Sequence, residues 1–557
     1  MSLAQKNALT RSITDAFSAI GVAAPSSINL EQPARREHGD WSSNAALAAA
    51  KAAGRNPREL AAALAANLVD HLPPHVTKVE IAGPGFLNFH LANSWLHEVL
   101  SEVLSLGPQH FARPDVGHGL HVNVEYVSAN PTGPLHAGHA RWAAYGDALS
   151  RVLARTGHQV HREFYVNDRG VQMQTYGASL LARQQGTAVP EGGYHGQYII
   201  DWAAEMPTGV DPVEWGRAKA LDYQRTTLAR MNVEFDTWTS ETAVAESGAV
   251  EITLDALRNA GHTYELDGAT WLRTTDFGDD KDRVLIKADG QYTYFTPDIA
   301  FHQDKFSRGD HLIDILGSDH HGYVARMMAA VQCLGRGPGD LEILIGQNCV
   351  LLRDGVEVKL SKRTGDIIEL DEIIDEVGPD AAKLTFLLQS IDTRQKVDLA
   401  VVASTSMDNP VFYVQYAHAR VHGIMRKAME RNIDRLEVVA VNLTLLNHER
   451  ELELARLLDD LASVLTMASV ERAPHKVTTW LRELASAVQG FYHDCPILRE
   501  DVPFELCQAR LWLVEAARIG LVIGLDLLGV GAPERMADLT DGLTDPLTDE
   551  LTSQEAN

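Results

Sequence analysis

Cysteine is scarce in this chain: four residues in 557, Cys333, Cys349, Cys495 and Cys507, with no CxxC pair among them. That spacing argues against a zinc knuckle or a disulfide framework and leaves reduced, structural thiols. Long apolar runs are absent as well. None approaches the roughly 18 residues of a membrane span, and the N-terminus "MSLAQKNALTRSITDAF" is polar where a secretory signal carries an apolar stretch. The expectation is a cytoplasmic protein with no membrane partner. Basic residues are also in deficit, 49 Lys and Arg against 75 Asp and Glu, for a formal net charge of −26. A global basic footprint is therefore missing, which counts against a protein that coats DNA or RNA, although a local basic patch stays open. An acidic balance also suits a cationic substrate, but only weakly, because acidity commonly serves solubility.

What is present divides the chain. It is too long for one core and implies three or four domains. Residues 1–112 read as a small α+β unit: "SSNAALAAAKAAGRNPRELAAALAANL" is helical with a break and restart at Asn56-Pro57, and "KVEIAGPGFLNFHL" is extended around Gly83-Pro84-Gly85. From 118 to 400 apolar strands such as "HVNVEYVSA", "QVHREFYV" and "HLIDILG" alternate with helices. That alternation predicts an α/β, doubly wound, parallel-sheet (Rossmann-like) domain whose ligands bind outside the carboxyl ends of its strands. Residues of about 187–265 read as a partly helical insertion. From 408 to 536 the pattern is an all-α bundle, with Leu454, Leu457, Leu458 and Leu461 on one stripe and Trp480, Leu484, Val488 and Phe491 on another. Residues 537–557 carry six acidic and no basic residues in a four-residue repeat broken by Gly542 and Pro546, and read as a disordered acidic tail.

Two stretches carry chemistry. In "NPTGPLHAGHARW", His136 and His139 fall one turn apart at a helix start after a Pro-Gly turn. A helix N-terminus offers N–H donors and partial positive charge to an anion. Pro134 suits the first turn, and Gly138 lets a planar ring approach the backbone. Two imidazoles there suit negative charge developing on a phosphate, although HxGH alone is short enough to arise by chance. In "VLLRDGVEVKLSKRTGD", Asp354-Gly355 predicts a hairpin that presents the basic loop "KLSKRTG", with Lys359, Lys362 and Arg363. Such a loop can close on a polyphosphate.

HAGH with KLSKR resembles the paired motifs of class I aminoacyl-tRNA synthetases. The longer strings "VEYVSANPTGPLHAGHARWAAYGDAL", "FYVNDRGVQMQ", "YHGQYI", "YFTPDIAF", "GSDHHGY", "NPVFYVQYAHAR" and "LLGVGAPERM" resemble arginyl-tRNA synthetases in order, as do "HGDWSSNAALAAAK" and "GPGFLNFHL" in the first domain. The resemblance implies an arginine–tRNA ligase that forms arginyl-adenylate from arginine and ATP, then loads the 3′ adenosine of tRNA(Arg). It gives His136, His139, Lys359 and Lys362 catalytic roles. ATP binding falls on "ANPTGPL" (Ala129, Asn130, Pro131, Thr132, Gly133, Pro134 and Leu135), with Gly138 and Ser361, and on Gly317 and Asp319 for the ribose. Glu125, Asn130, Tyr294 and Asp298 match positions that hold arginine, and carboxylates suit a guanidinium. Magnesium is expected with ATP as cosubstrate, with no tightly bound protein-ligated metal.

The resemblance further implies an anticodon-binding bundle, a first domain that touches the outer corner of the tRNA, tRNA bound before the first step, and a monomer. A local basic stripe of Arg420, Arg426, Lys427 and Arg431 is the candidate tRNA contact, with no DNA partner. No editing domain is evident, which suits a substrate selected by hydrogen bonds. Leu360 and Arg363 depart from the usual KMSKS. His320-His321 stand where some eukaryotic relatives carry a glutamine that touches arginine, so that contact is not carried over, and the tail past Met536 has no counterpart. Another HxGH nucleotidyltransferase is one alternative, normally shorter and lacking the bundle. A catalytically silent tRNA-binding paralogue is the other, and the intact His136, His139, Lys362, Glu125 and Asp298 speak against it.

Overall fold

The computed structural model describes residues 3–33, 35–358, 368–404 and 406–536. The basic loop with Lys359, Ser361 and Lys362, and the acidic tail, lie outside the described residues. The chain forms two compact units. One comprises the segment ending at Phe111 with Arg420–Ala462 and Glu483–Leu521; the other comprises Ala112–Ala419, Ser463–Arg482 and the segment from Val522.

In the first unit, an antiparallel sheet in the order 30–31, 41–43, 86–91, 76–82 packs with helices Leu3–Ala19, Ala45–Ala53 and Pro57–Asp70. The restart at Asn56-Pro57 has a simple cause: the Asn56 side chain accepts hydrogen bonds from the Arg58 and Glu59 backbone N–H groups, and Pro57 opens the helix. Ile13, Phe17, Leu60, Leu64 and Phe89 are wholly buried in the core. Parts of the C-terminal helices share this unit, with the His97 Nε2 atom 3.0 Å from the Leu446 carbonyl.

The second unit is organised by five parallel strands: β1 (His121–Glu125), β2 (Gln159–Val166), β3 (Thr237–Ser240), β4 (His311–Gly317) and β5 (Leu341–Gly346). Their order is β5-β4-β1-β2-β3. Helices α1 (Ala137–Arg155), α2 (Val171–Gln184), α3 (Pro212–Arg230), α4 (Phe295–Lys305) and α5 (Val324–Cys333) lie between them in the chain. Val122, Val124, Leu312 and Ile313 are fully buried, as strands covered on both faces require. Strand order reverses between β1 and β4, where Glu125 pairs in register with Asp314. This topological switch point is where such sheets bind ligands. The fold is thus the doubly wound α/β class.

The 187–265 stretch differs from its reading as an insertion, because it supplies β3, the edge strand of the main sheet. "TWTS" is short and largely polar, so it lacks the apolar signature of its neighbours. Further along, Cys349–Arg353 and Val356–Glu357 form the hairpin, with Asp354 and Gly355 at φ +52° and +78°, both in the left-handed region that a type I′ turn needs. All four cysteines are free thiols. Among the described residues, no helix is long and apolar enough to cross a membrane.

The helix bearing HAGH is anchored from behind. Asp147 on α1 accepts a 2.6 Å hydrogen bond from Lys383 Nζ inside the protein, and Lys383 also donates to the Asn232 carbonyl at 2.8 Å. Gly529, in "LLGVGAPERM", covers this pair at φ +64°, and a Cβ there would stand 2.1 Å from Lys383 Nζ. A Gly529→Ala exchange therefore has to break a buried ion pair as well as strain the backbone. We expect a stability loss of about 3 kcal/mol or more, read from the urea midpoint; an unchanged midpoint contradicts this anchoring.

Candidate active site

The HAGH turn closes on itself. His136 is the N-cap of α1, in extended conformation, and its Nδ1 accepts from the Gly138 N–H at 3.1 Å. His139 reaches back, its Nδ1 accepting from the His136 N–H at 3.2 Å. This is a capping box built from imidazoles, and the two rings lie 3.8 Å apart between centroids. Since both Nδ1 atoms accept, each neutral ring carries its proton on Nε2, as a donor at the positive end of a 19-residue helix. Gly138 has a reason beyond approach of a ligand, because a Cβ there would stand 2.8 Å from His136 Cε1 and push the ring away. Ala137 donates to the Ile368 carbonyl at 3.2 Å and Leu370 to that of Leu135 at 2.8 Å. The HAGH turn is thus bonded to the first described residues after the basic loop.

The preceding loop is held from the 187–265 stretch. Gln224 Nε2, buried on α3, donates to the carbonyls of Asn130 at 3.1 Å and Gly133 at 2.9 Å. Tyr198, in "YHGQYI", donates to the Thr132 carbonyl at 3.1 Å. Its ring fills the place of a Gly133 side chain, 2.8 Å from where a Cβ would be.

A cavity of about 730 Å³ opens at the switch point. It brings together Glu125, Asn130, His136, Gly138, His139, Asp298, Gly317 and Asp319 from the sequence reading. Ala129, Pro131, Thr132, Gly133, Pro134 and Leu135 do not line it and form the scaffold of the turn. Tyr294 is 90% exposed and borders a second cavity of about 640 Å³ that shares Tyr165, Asn167 and Asp298 with the first. His320 lines the first cavity beside Asp319, 3.6 Å away, and His321 does not line it. Arg420 and Arg426 belong to the other compact unit. There Arg420 lies 4.5 Å over the Tyr492 ring and donates to Gln489, while Arg431 donates to the Leu498 carbonyl at 2.7 Å. Two members of the stripe are engaged within their own unit.

The acidic wall holds residues that sequence reasoning missed. Glu125 Oε2 accepts from Lys305 Nζ at 2.6 Å, and Glu125 Oε1 from Ser128 at 2.8 Å. Lys305 also donates to Asp314, whose other oxygen stands 2.8 Å from His302 Nε2. Burial works against the ionised Asp314 carboxyl, but Lys305 and His302 hold it down at about 2. Asp298 is different. Among the described residues no ion pair serves its carboxylate, and burial pushes it up to about 7. Glu241 lies nearby on the second cavity, also raised by burial. The signal for Glu241 was positional, since it is the residue after the carboxyl end of β3 and was lost with that strand. The signal for Lys305 was spacing: Asp298, His302 and Lys305 follow i, i+4, i+7 along one face of α4.

Three family models match the chain: arginyl tRNA synthetase N terminal domain over residues 7–91, tRNA synthetases class I (R), catalytic domain over 100–192 and 205–397, and DALR anticodon binding domain over 414–536. An arginine–tRNA ligase of Frankia alni is 44% identical, covering 95% of this chain and 98% of its own length. One from Staphylococcus aureus is 43% identical over 91% and 95%. The Thermus thermophilus arginyl-tRNA synthetase structure shares the fold, with a TM-score of 0.75 at 23% identity over 95% of this chain and all of that one. With the HAGH turn at the switch point, an acidic wall facing it and these matches along nearly the whole length, the chain belongs to the class I arginyl-tRNA synthetase family.

Proposed function

We propose that the chain is an arginine–tRNA ligase whose arginine lies along the acidic wall, α-carboxylate toward HAGH and guanidinium toward Asp298 and Glu241. The observation that carries this orientation is electrostatic. Glu125 and Asp314 have an internal counter-ion in Lys305, whereas Asp298 and Glu241 have no ion-pair partner among the described residues. A guanidinium supplies what those two lack, in a geometry that bidentate donors suit. Tyr294 stands at the outer end of its path, and Glu125 and Asn130 receive the α-ammonium end.

In the first step the arginine carboxylate attacks the α-phosphate of ATP, and pyrophosphate leaves. His136 and His139, with Nε2–H donors, stabilise charge on the α-phosphate. Asn130, Gly138, Gly317 and Asp319 hold the nucleotide, on the turn that the rest of 129–135 shapes, and Mg²⁺ comes with ATP as cosubstrate. Lys359, Ser361 and Lys362 grip the leaving pyrophosphate; the backbone bonds of the HAGH turn to Ile368 and Leu370, which follow them in the chain, support this reading. In the second step a ribose hydroxyl of the tRNA's terminal adenosine attacks the arginyl carbonyl and AMP leaves. The anticodon-binding helices and the N-terminal domain hold the tRNA, which is bound before the first step, and the enzyme works as a cytoplasmic monomer. The half-buried, engaged state of Arg420 assigns it a smaller share of tRNA affinity than an open basic stripe would give.

The test is aminoacylation of total tRNA with labelled amino acids. Arginine alone should become acid-precipitable, on tRNA(Arg) alone; loading of lysine at a similar rate, or none from folded protein, overturns the reading.

A further inference from the structure

We propose that Lys305 is a positioning residue for arginine activation: its buried ammonium holds Glu125 aimed at the substrate's α-ammonium and keeps the guanidinium away from that end. This rests on the arginine-activation reading above. Lys305 is fully buried and does not line the cavity, whereas both carboxylates it serves, Glu125 and Asp314, do. Its charge therefore reaches the substrate only through them.

The arrangement is more elaborate than a core ion pair requires. Glu125 is held at both oxygens, by Lys305 at 2.6 Å and by Ser128 at 2.8 Å. The turn that brings Ser128 back over the strand end puts Val127 at φ +71° and Ser128 at φ +33°, in the left-handed region although neither is glycine. That strain is tolerated where the surroundings over-determine it, as they do at functional sites. Tyr165 N–H donates to the same Ser128 hydroxyl at 3.1 Å, so neighbouring strand β2 fixes it as well. Beneath, the Lys305 ammonium lies 5.0 Å over the Phe301 ring, and His302 holds the far side of Asp314. Replacing such a group by a well-packed apolar side chain often costs nothing when stability alone is at stake. A lysine sharing two cavity-lining carboxylates is what a site needs in order to tell one cationic end of a ligand from the other. With Glu125 half-neutralised and fixed, it suits a compact ammonium. Asp298 and Glu241 have no direct ion-pair partner among the described residues and feel Arg326 and Arg169 only at longer range, so they suit the planar guanidinium, and a reversed arginine is disfavoured.

The experiment compares two ligands by calorimetry on the full chain saturated with tRNA(Arg): arginine, and 5-guanidinopentanoate, which is arginine without its α-amino group. Lys305→Met should weaken arginine by about thirtyfold or more, the worth of a charged hydrogen bond, and 5-guanidinopentanoate by less than about threefold. Lys305→Arg, which keeps the charge, should restore most of the loss. A merely structural lysine would weaken both ligands alike; that result, or no change in either, overturns the proposal. If Lys305→Met does not fold, Lys305→Met/Asp314→Asn removes one charge of each sign and carries the same comparison. A wild-type chain that binds neither ligand defeats the functional reading itself, an outcome separate from a defect confined to Lys305.

Discussion

His139→Ala lowers the single-turnover rate of arginyl-adenylate formation by about 10²–10³, the usual worth of a preorganised donor aimed at developing charge, with little change in arginine binding. His136→Ala does the same. The capping box makes a sharper statement possible. Each imidazole is oriented by the other's backbone or its neighbour's, the His136 N–H donating to His139 and the Gly138 N–H to His136. The rings also pack against each other, 3.8 Å between centroids, so removing either takes away the surface that steadies the other, and the double variant should lose less than the product of the two single losses. Losses that multiply would mean the rings act independently and the box is mere helix capping. Losses below about tenfold would take them out of the chemistry.

Asp298→Asn raises the KM for arginine by about 10²-fold or more, the cost of leaving a guanidinium without its charged partner, with the KM for ATP within a few-fold. The pH dependence carries a sign. Burial raises this carboxyl to about 7 in the folded protein. Below that pH it is protonated and cannot receive the guanidinium, so arginine's KM should climb about tenfold per pH unit as pH falls below 7 and be flat above it. Bound arginine supplies the missing positive charge and moves the titration downward. For the unliganded fold the linkage runs the other way. Asp298 favours the folded state most below its unfolded value of 3.8, and that contribution is lost as pH rises to about 7. Asp298→Asn should remove the acid limb from the arginine KM; a limb that survives unchanged assigns the titration to another group, with Glu241 next to be changed.

Much of this is legible in the sequence alone. The parallel sheet showed itself because strands such as "HVNVEYVSA" and "HLIDILG" alternate with helices along the chain. HAGH and the hairpin at Asp354-Gly355 were local signals, set by turn chemistry within a few residues. What escaped was long-range. β3 is four residues of polar sequence and becomes a strand only because β2 offers an edge, so Glu241 at its end went unnoticed. Lys305 reads in isolation as an ordinary helix-terminal base, and its burial depends on two carboxylates, 180 and 9 residues away in the chain. The surroundings of the basic stripe were equally out of reach of the sequence. Spacing along a helix shows which residues share a face but not that Arg420 turns onto Tyr492.

The most direct test of the whole account is amino-acid-dependent exchange of pyrophosphate into ATP, run with and without tRNA(Arg). The account predicts exchange with arginine and not with lysine or citrulline, since only a guanidinium satisfies Asp298 and Glu241 together, and predicts that it appears when tRNA(Arg) is added. Exchange driven equally by lysine, or none from folded protein with tRNA present, would contradict it.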